Sequence, residues 1–175
     1  MRRGNPVAPP PKAGEVDCRQ FTKSEILALD IATKTGYHST HESGEWDFKE
    51  TIKNNNNKQH KHFRDTLMAF IKKYDIKFIV AEELIAFNNR FGGTKKLGEF
   101  RGILLEVCDE LDLPEPEFFS PATLKITAAG IGNADKKQVM DGILMKYGID
   151  VKGQDNRADA IACYYSFIKK YHIIK

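Results

Sequence analysis

The chain has 175 residues, of which 41% are hydrophobic and 29% charged, with a formal net charge of +3. That is enough for one globular domain with a real core, and no apolar run approaches the ~20 residues needed to span a bilayer. The three cysteines, Cys18, Cys108 and Cys163, are scattered and odd in number. They read as reduced thiols of a cytoplasmic protein, not as a disulfide framework or a zinc site. The mild positive charge permits a nucleic-acid partner without diagnosing one.

Residues 1–23 carry Arg2, Arg3, Pro6, Pro9, Pro10 and Pro11 and few large apolar side chains. They lack the apolar core of a secretory signal, and their composition predicts a disordered tail preceding one domain over 24–175. The first buried strand is Ile26-Leu-Ala-Leu29, short, aliphatic and bounded by polar residues. It ends in Asp30, an acid where a core position calls for an apolar residue, so a cationic partner is expected. Small, turn-prone residues lead to Gly36, and two further strands are expected over Tyr37–Thr40 and Gly44–Phe48. Together they make an antiparallel meander with Trp46 and Phe48 on one face.

After the polar Asn54–Asn57 run, Phe63, Leu67, Phe70, Ile71 and Tyr74 fall at helical spacing. His60 and His62, two apart, do not share a face of that helix and suit its solvated surface better than a metal site. The run Lys77-Phe-Ile-Val-Ala-Glu82-Glu83 is a second buried strand ending in acid. Set parallel to the first, it would bring Glu82 beside Asp30 at the carboxyl ends of the strands, with Glu83 on the opposite face. The stretch Phe87-Asn-Asn-Arg90-Phe91-Gly-Gly reads either as a plain connector or as a loop that stacks on bases and touches phosphates. A helix from about Thr94 to Leu111 is apolar over much of its circumference, which predicts burial on more than one side: against the sheet, and then either against a partner subunit or sandwiched within the one domain.

Pro116-Glu-Phe-Phe-Ser120 is a last strand, and Pro121 opens a short helix ending at Gly130. Asn133 or Asp135 caps the next helix, whose first turn holds Lys136 and Lys137 against the macrodipole. Cations placed there, beside free backbone N–H groups, are candidate phosphate contacts. The C-terminal helix opens with Gln154-Asp155-Asn156-Arg157-Ala158-Asp159. Asp159 stands at the edge of its packing stripe between alanines, with Asp155 and Asn156 on the same side. Three acids, Asp30, Glu82 and Asp159, thus end or edge buried elements. Clustered oxygen ligands suit Mg²⁺ or Mn²⁺, and two such ions can drive phosphodiester hydrolysis.

Several motifs in order resemble those of the RuvC Holliday-junction resolvases. They are Ile-Leu-Ala-Leu-Asp30 with Gly36-Tyr37, Phe-Ile-Val-Ala-Glu82, and Lys96-Leu-Gly-Glu-Phe-Arg-Gly102. Further on come Ser120-Pro-Ala-Thr-Leu-Lys125, Gly130-Ile-Gly-Asn-Ala-Asp-Lys136-Lys-Gln-Val139 and Ala158-Asp159-Ala-Ile-Ala. The resemblance runs from about Glu25 to Phe167. It implies a ribonuclease-H-like α/β fold, a central mixed five-stranded sheet flanked by helices, in a homodimer that cuts four-way or branched DNA, leaving 5′-phosphates. It further implies two Mg²⁺ ions, replaceable by Mn²⁺, on Asp30, Glu82 and Asp159. Lys125 and Lys136 match DNA-contacting lysines, with Lys137 beside them, and Phe87 or Phe91 stands in for a junction-probing aromatic near Arg90. Two departures matter. Ile31-Ala32 replace the family's Pro-Gly, and Asn156 stands where an acid or His is usual, so the fourth ligand is open between Asp155 and Asn156. The basic tail suits a bacterial or phage-type protein acting in the cell or infected host. A related nuclease acting on structured RNA, and a silent DNA-binding module, are the rival readings, whereas actin-like sugar kinases need a longer chain.

Overall fold

The structure is a computed structural model describing residues 15–49, 56–84 and 91–174. Its sheet grows outward from the first strand, β1 (Ile26–Asp30), in which Ile26, Leu27, Ala28 and Leu29 are all fully buried. A strand buried on both faces must be covered on both, and β1 lies at the centre of the sheet. Strand β2 (Lys34–His38) folds back antiparallel, setting Leu29 opposite Tyr37 and Asp30 opposite Gly36. The turn between them is braced by the buried Thr35 hydroxyl, which donates to the Ala32 carbonyl at 2.6 Å. Strand β3 (Ser43–Asp47) completes the meander.

Helix α1 (Asn56–Tyr74) then carries the chain to β4 (Phe78–Glu82), which lies parallel to β1 with Leu29 opposite Ala81. Helix α2 (Phe91–Glu110) leads to β5 (Glu117–Phe119), parallel to β4. Helices α3 (Pro121–Ala129), α4 (Lys136–Tyr147) and α5 (Asp155–Tyr171) follow. Among the described residues the sheet has five strands in the order β3-β2-β1-β4-β5, the mixed sheet expected of a ribonuclease-H-like fold.

The period-two alternation of strands sorts side chains between two cores. Ile26 and Ala28 of β1, with Phe78 and Val80 of β4, meet Ala158, Ile161, Ala162 and Phe167 of α5. Leu27 and Leu29, with Ile79 and Ala81, meet Phe63 and Leu67 of α1 and Phe100 and Leu104 of α2. Trp46 and Phe48 both join this second core, as their shared face requires.

Helix ends follow the sequence signals. Ser120 caps α3 ahead of Pro121, and Gly130 ends it in the left-handed region. Asp135, not Asn133, caps α4 and forms a capping box with Gln138. The expected tail over 1–23 ends too late. Cys18 and Phe21 are buried, and residues 18–20 and 23–25 form 3₁₀ turns that pack the chain under the sheet. These two apolar side chains, isolated among polar neighbours, leave no periodic trace in the sequence.

Candidate metal centre

The parity that sorts the cores also decides the site. Asp30 continues the Ile26–Ala28 face of β1, and Glu82 continues the Phe78–Val80 face of β4, so both carboxylates point toward α5. Helix α5 comes close because its contact residues are small: Ala158 and Ala160, either side of Asp159, are fully buried. Gly36 of β2 opens the remaining space. A Cβ there would lie 1.9 Å from the Asn156 carbonyl oxygen, so only glycine lets the first turn of α5 press on the hairpin. The result is that carboxylate oxygens of Asp30, Glu82 and Asp159 all lie within 4.8 Å of one another, at the carboxyl ends of β1 and β4.

Three acids this close perturb one another. Burial raises the Asp30 carboxyl well above the ordinary carboxylate range, and the charges of Glu82 and Asp159 push the same way. Glu82 is raised by burial, partly offset by a side-chain hydrogen bond with Asp30 and by the charge of Lys125. Asp159 is pushed up to about 7 by burial, then by Glu82 and Asp155. Without a cation the cluster therefore retains protons that a cation would displace. An all-oxygen donor set of this kind fits a hard divalent ion. Asp30 and Glu82 also line a cleft of about 210 Å³ shared with Ile31, Glu83, Leu84, Leu97 and Pro121, so the centre is open to a ligand.

The remaining residues singled out in the sequence distribute around this cluster. Lys125 of α3 faces it, since its charge is felt by both Glu82 and Asp159. Lys136 of α4 pairs with Asp155, whose carboxyl it holds below the ordinary range, and it also feels Asp159 and Asp30. Lys137 turns along its own helix to Asp141, 3.6 Å away. The Asn156 amide N–H donates to the Lys34 carbonyl at 2.9 Å, which holds that side chain against the hairpin. Asp155 stands outside the 4.8 Å set, and its charge is felt by Asp30 and Asp159. His60 meets Glu99 at 3.0 Å and takes no part. Phe87 and Arg90 lie outside the described residues, and of Phe91 only the backbone, opening α2, is described.

Two features had no sequence signal. Lys34 and Glu45 form an ion pair at 2.6 Å beside the start of α5. Arg101 of α2 pairs with Glu83. Arg101 sits inside the Lys96–Gly102 motif, but its partner depends on how α2 docks, which no local pattern encodes.

A family profile described as crossover junction endodeoxyribonuclease RuvC matches residues 33–165. The chain belongs to the RuvC family. RuvC of Thermosipho melanesiensis is 31% identical over 99 residues, covering 56% of this chain and 62% of the relative. RuvC of Rickettsia akari is 33% identical over 102 residues, covering 58% and 64%. The matched stretch therefore spans somewhat under two thirds of these relatives' length. Among solved structures, T. thermophilus RuvC in complex with a Holliday junction substrate superposes with a TM-score of 0.68 at 17% identity, covering 85% of this chain and 96% of that one. The yeast mitochondrial Holliday junction resolvase Ydc2 superposes at 0.60 with 12% identity, covering 87% and 80%. Both share the ribonuclease-H-like fold of this RuvC-family chain. The family match begins at Thr33, three residues after Asp30, so the place of Asp30 rests on its geometry beside Glu82 and Asp159.

Proposed function

We propose that this RuvC-family protein is a structure-specific, metal-dependent endodeoxyribonuclease that resolves four-way or branched DNA junctions by paired phosphodiester hydrolysis, leaving 5′-phosphates. The observation that carries the reading is the convergence of Asp30, Glu82 and Asp159 within 4.8 Å on the α5 face of the sheet. A module that only binds DNA gains nothing from three clustered, half-buried acids facing the phosphates it must attract, because they repel both each other and the ligand.

Asp30, Glu82 and Asp159 would hold two Mg²⁺ ions, with Asp155 able to complete the shell once Lys136 lets go. When bound, such ions activate the attacking water and stabilise the departing 3′-oxygen. The chain's own part is positional. β1 and β4 fix two carboxylates on a rigid sheet, and the alanines of α5 bring the third to them. Lys125 and Lys136 supply positive charge beside the acids and contact the phosphates on either side of the cut.

Two symmetric cuts call for two sites, so a homodimer is part of this reading. Helix α2 supports it. Its inner side (Phe100, Leu104, Val107, Cys108) is buried in the core, while Leu105 is exposed and Gly98 and Gly102 have open space above them. The test is cleavage of four-way DNA, flaps and structured RNA by the full chain and by Asp30→Asn. The native protein should cut four-way DNA in Mg²⁺, and the variant should bind it without cutting. Native-rate cutting by Asp30→Asn, or cutting of RNA alone, would overturn the assignment.

A further inference from the structure

Glu83 follows Glu82 directly and is a second carboxylate at the end of β4. The structure gives it a different fate. The alternation of β4 turns Glu83 to the α2 face, where the Arg101 guanidinium pairs with its Oε1. Arg101 is itself held, with its guanidinium stacked over the Phe118 ring at 3.7 Å on β5. The Glu83 N–H donates to the Phe119 carbonyl at 2.8 Å, and Glu83 Oε1 accepts the Leu84 N–H at 3.0 Å. Glu83 and Leu84 line the same cleft as Asp30 and Glu82, and Leu97, one turn before Arg101, lines it from α2. One arginine thus joins α2, the end of β4 and β5 at the rim of the centre. Arg101 is 29% exposed and Glu83 38%, so this is a partly sheltered, stacked pair and not a solvated surface contact.

We propose that Arg101 is a positioning residue for the carboxylate cluster. By pinning Glu83 on the α2 face it holds the last turn of chain leaving β4, and so presents Glu82 to Asp30 and Asp159. Residues that orient a ligand without touching the ion commonly govern affinity, and losing one typically costs about 10- to 100-fold. With the clamp gone, the end of β4 keeps its backbone pairing to β5 but loses its side-chain strut to α2, and Glu82 is held less tightly in the set of three. The added charge of a loose Glu83 offers little compensation, because it is largely screened at the cleft rim.

This inference rests on the metal-dependent reading above, and its test separates the two. Mn²⁺ binding to the DNA-free full chain is measured for Arg101→Ala, Glu83→Ala, the double variant, Arg101→Lys and Asp30→Asn, with thermal unfolding alongside. Arg101→Ala and Glu83→Ala should each weaken Mn²⁺ by about tenfold, and the double variant should be no weaker, since both remove one clamp. Arg101→Lys keeps the charge but loses the planar fork and the stack, and should recover part of the affinity. Asp30→Asn should weaken binding most. Native Mn²⁺ affinity in Arg101→Ala overturns the proposal, as does full additivity in the double variant, which would mean that the two side chains act separately. A lower unfolding temperature with unchanged Mn²⁺ affinity also overturns it, because it assigns Arg101 to stability alone. If Asp30→Asn itself binds Mn²⁺ normally, the failure lies with the metal centre and not with Arg101.

Discussion

Glu82 and Glu83 are the same residue type, one position apart, and they end on opposite sides of one sheet. On the α5 side, Glu82 meets two more acids, Asp30 and Asp159, with the charge of Lys125 nearby. On the α2 side, Glu83 meets Arg101, already seated on Phe118. The difference comes from strand parity and from what each helix offers. Helix α5 presents alanines that allow close approach, with Asp159 between them and Asp155 one turn before. Helix α2 presents an arginine that neutralises. On the proposed reading, the carboxylate grouped with other acids serves as a ligand, and the one paired with an arginine serves as a strut.

The sharpest way to break that comparison is to remove each charge in turn. Glu82→Gln should lower cleavage of four-way DNA by three orders of magnitude or more, roughly 4 kcal/mol of transition-state stabilisation. Glu83→Gln should cost about threefold or less, because its amide oxygen still accepts from Arg101 and from the Leu84 N–H. Single-turnover rates at saturating protein would measure both. Equal losses would mean that the two faces are not functionally distinct.

Much of this contrast was readable beforehand. Ile26–Leu29 and Phe78–Ala81, each ending in an acid, specify two buried parallel strands, and the period of two then separates Glu82 from Glu83. The first-turn acids of α5 and the small residues around Asp159 were also visible. What the sequence could not show is long-range and geometric. Asn156 stands where a fourth ligand is usual, yet its amide is taken by the Lys34 carbonyl, a contact created only when α5 presses on Gly36. The pairing of Arg101 with Glu83 depends on the docking angle of α2. The burial of Cys18 and Phe21 depends on a groove that exists only after the sheet has formed.

The acid cluster should also carry a stability cost. Asp159 is held at about 7, above its value in an unfolded chain, so the folded state binds that proton more tightly. As pH rises from about 4 through 7, Asp159 therefore takes stability from the metal-free protein, and this loss is complete above 7. The full difference would amount to roughly 4 kcal/mol, and about half of that is expected for a side chain that is only partly buried. Asp159→Asn should accordingly stabilise the metal-free protein by about 2 kcal/mol at pH 8 and by almost nothing at pH 4. Burial and the Arg157 charge push His38 down to about 4, which gives the opposite trend, with stability gained as pH rises toward the ordinary histidine value. That contribution is common to parent and variant and cancels in the difference. Urea unfolding at both pH values, with and without Mg²⁺, checks the sign. Mg²⁺ should raise the parent's stability and leave the variant's nearly unchanged.

The smallest effect concerns the cation on the α5 side. Lys136 does for Asp155 what Arg101 does for Glu83, but its side chain is 78% exposed against 29% for Arg101. An exposed lysine pair is worth at most about 1 kcal/mol, so on the proposed reading Lys136 exchanges Asp155 for a DNA phosphate, whereas Arg101 stays where it is. Lys136→Ala should therefore weaken junction binding only severalfold while lowering the slope of log affinity against log salt by about one, the signature of one lost phosphate contact. Lys137→Ala is the matched control. Its side chain is 85% exposed and pairs along α4 with Asp141, so its slope should change by less than half as much. Fluorescence anisotropy over a salt series would read both. If the two lysines shift the slope equally, adjacency to the acid cluster does not select which cation meets the DNA, and the exchange role of Lys136 fails.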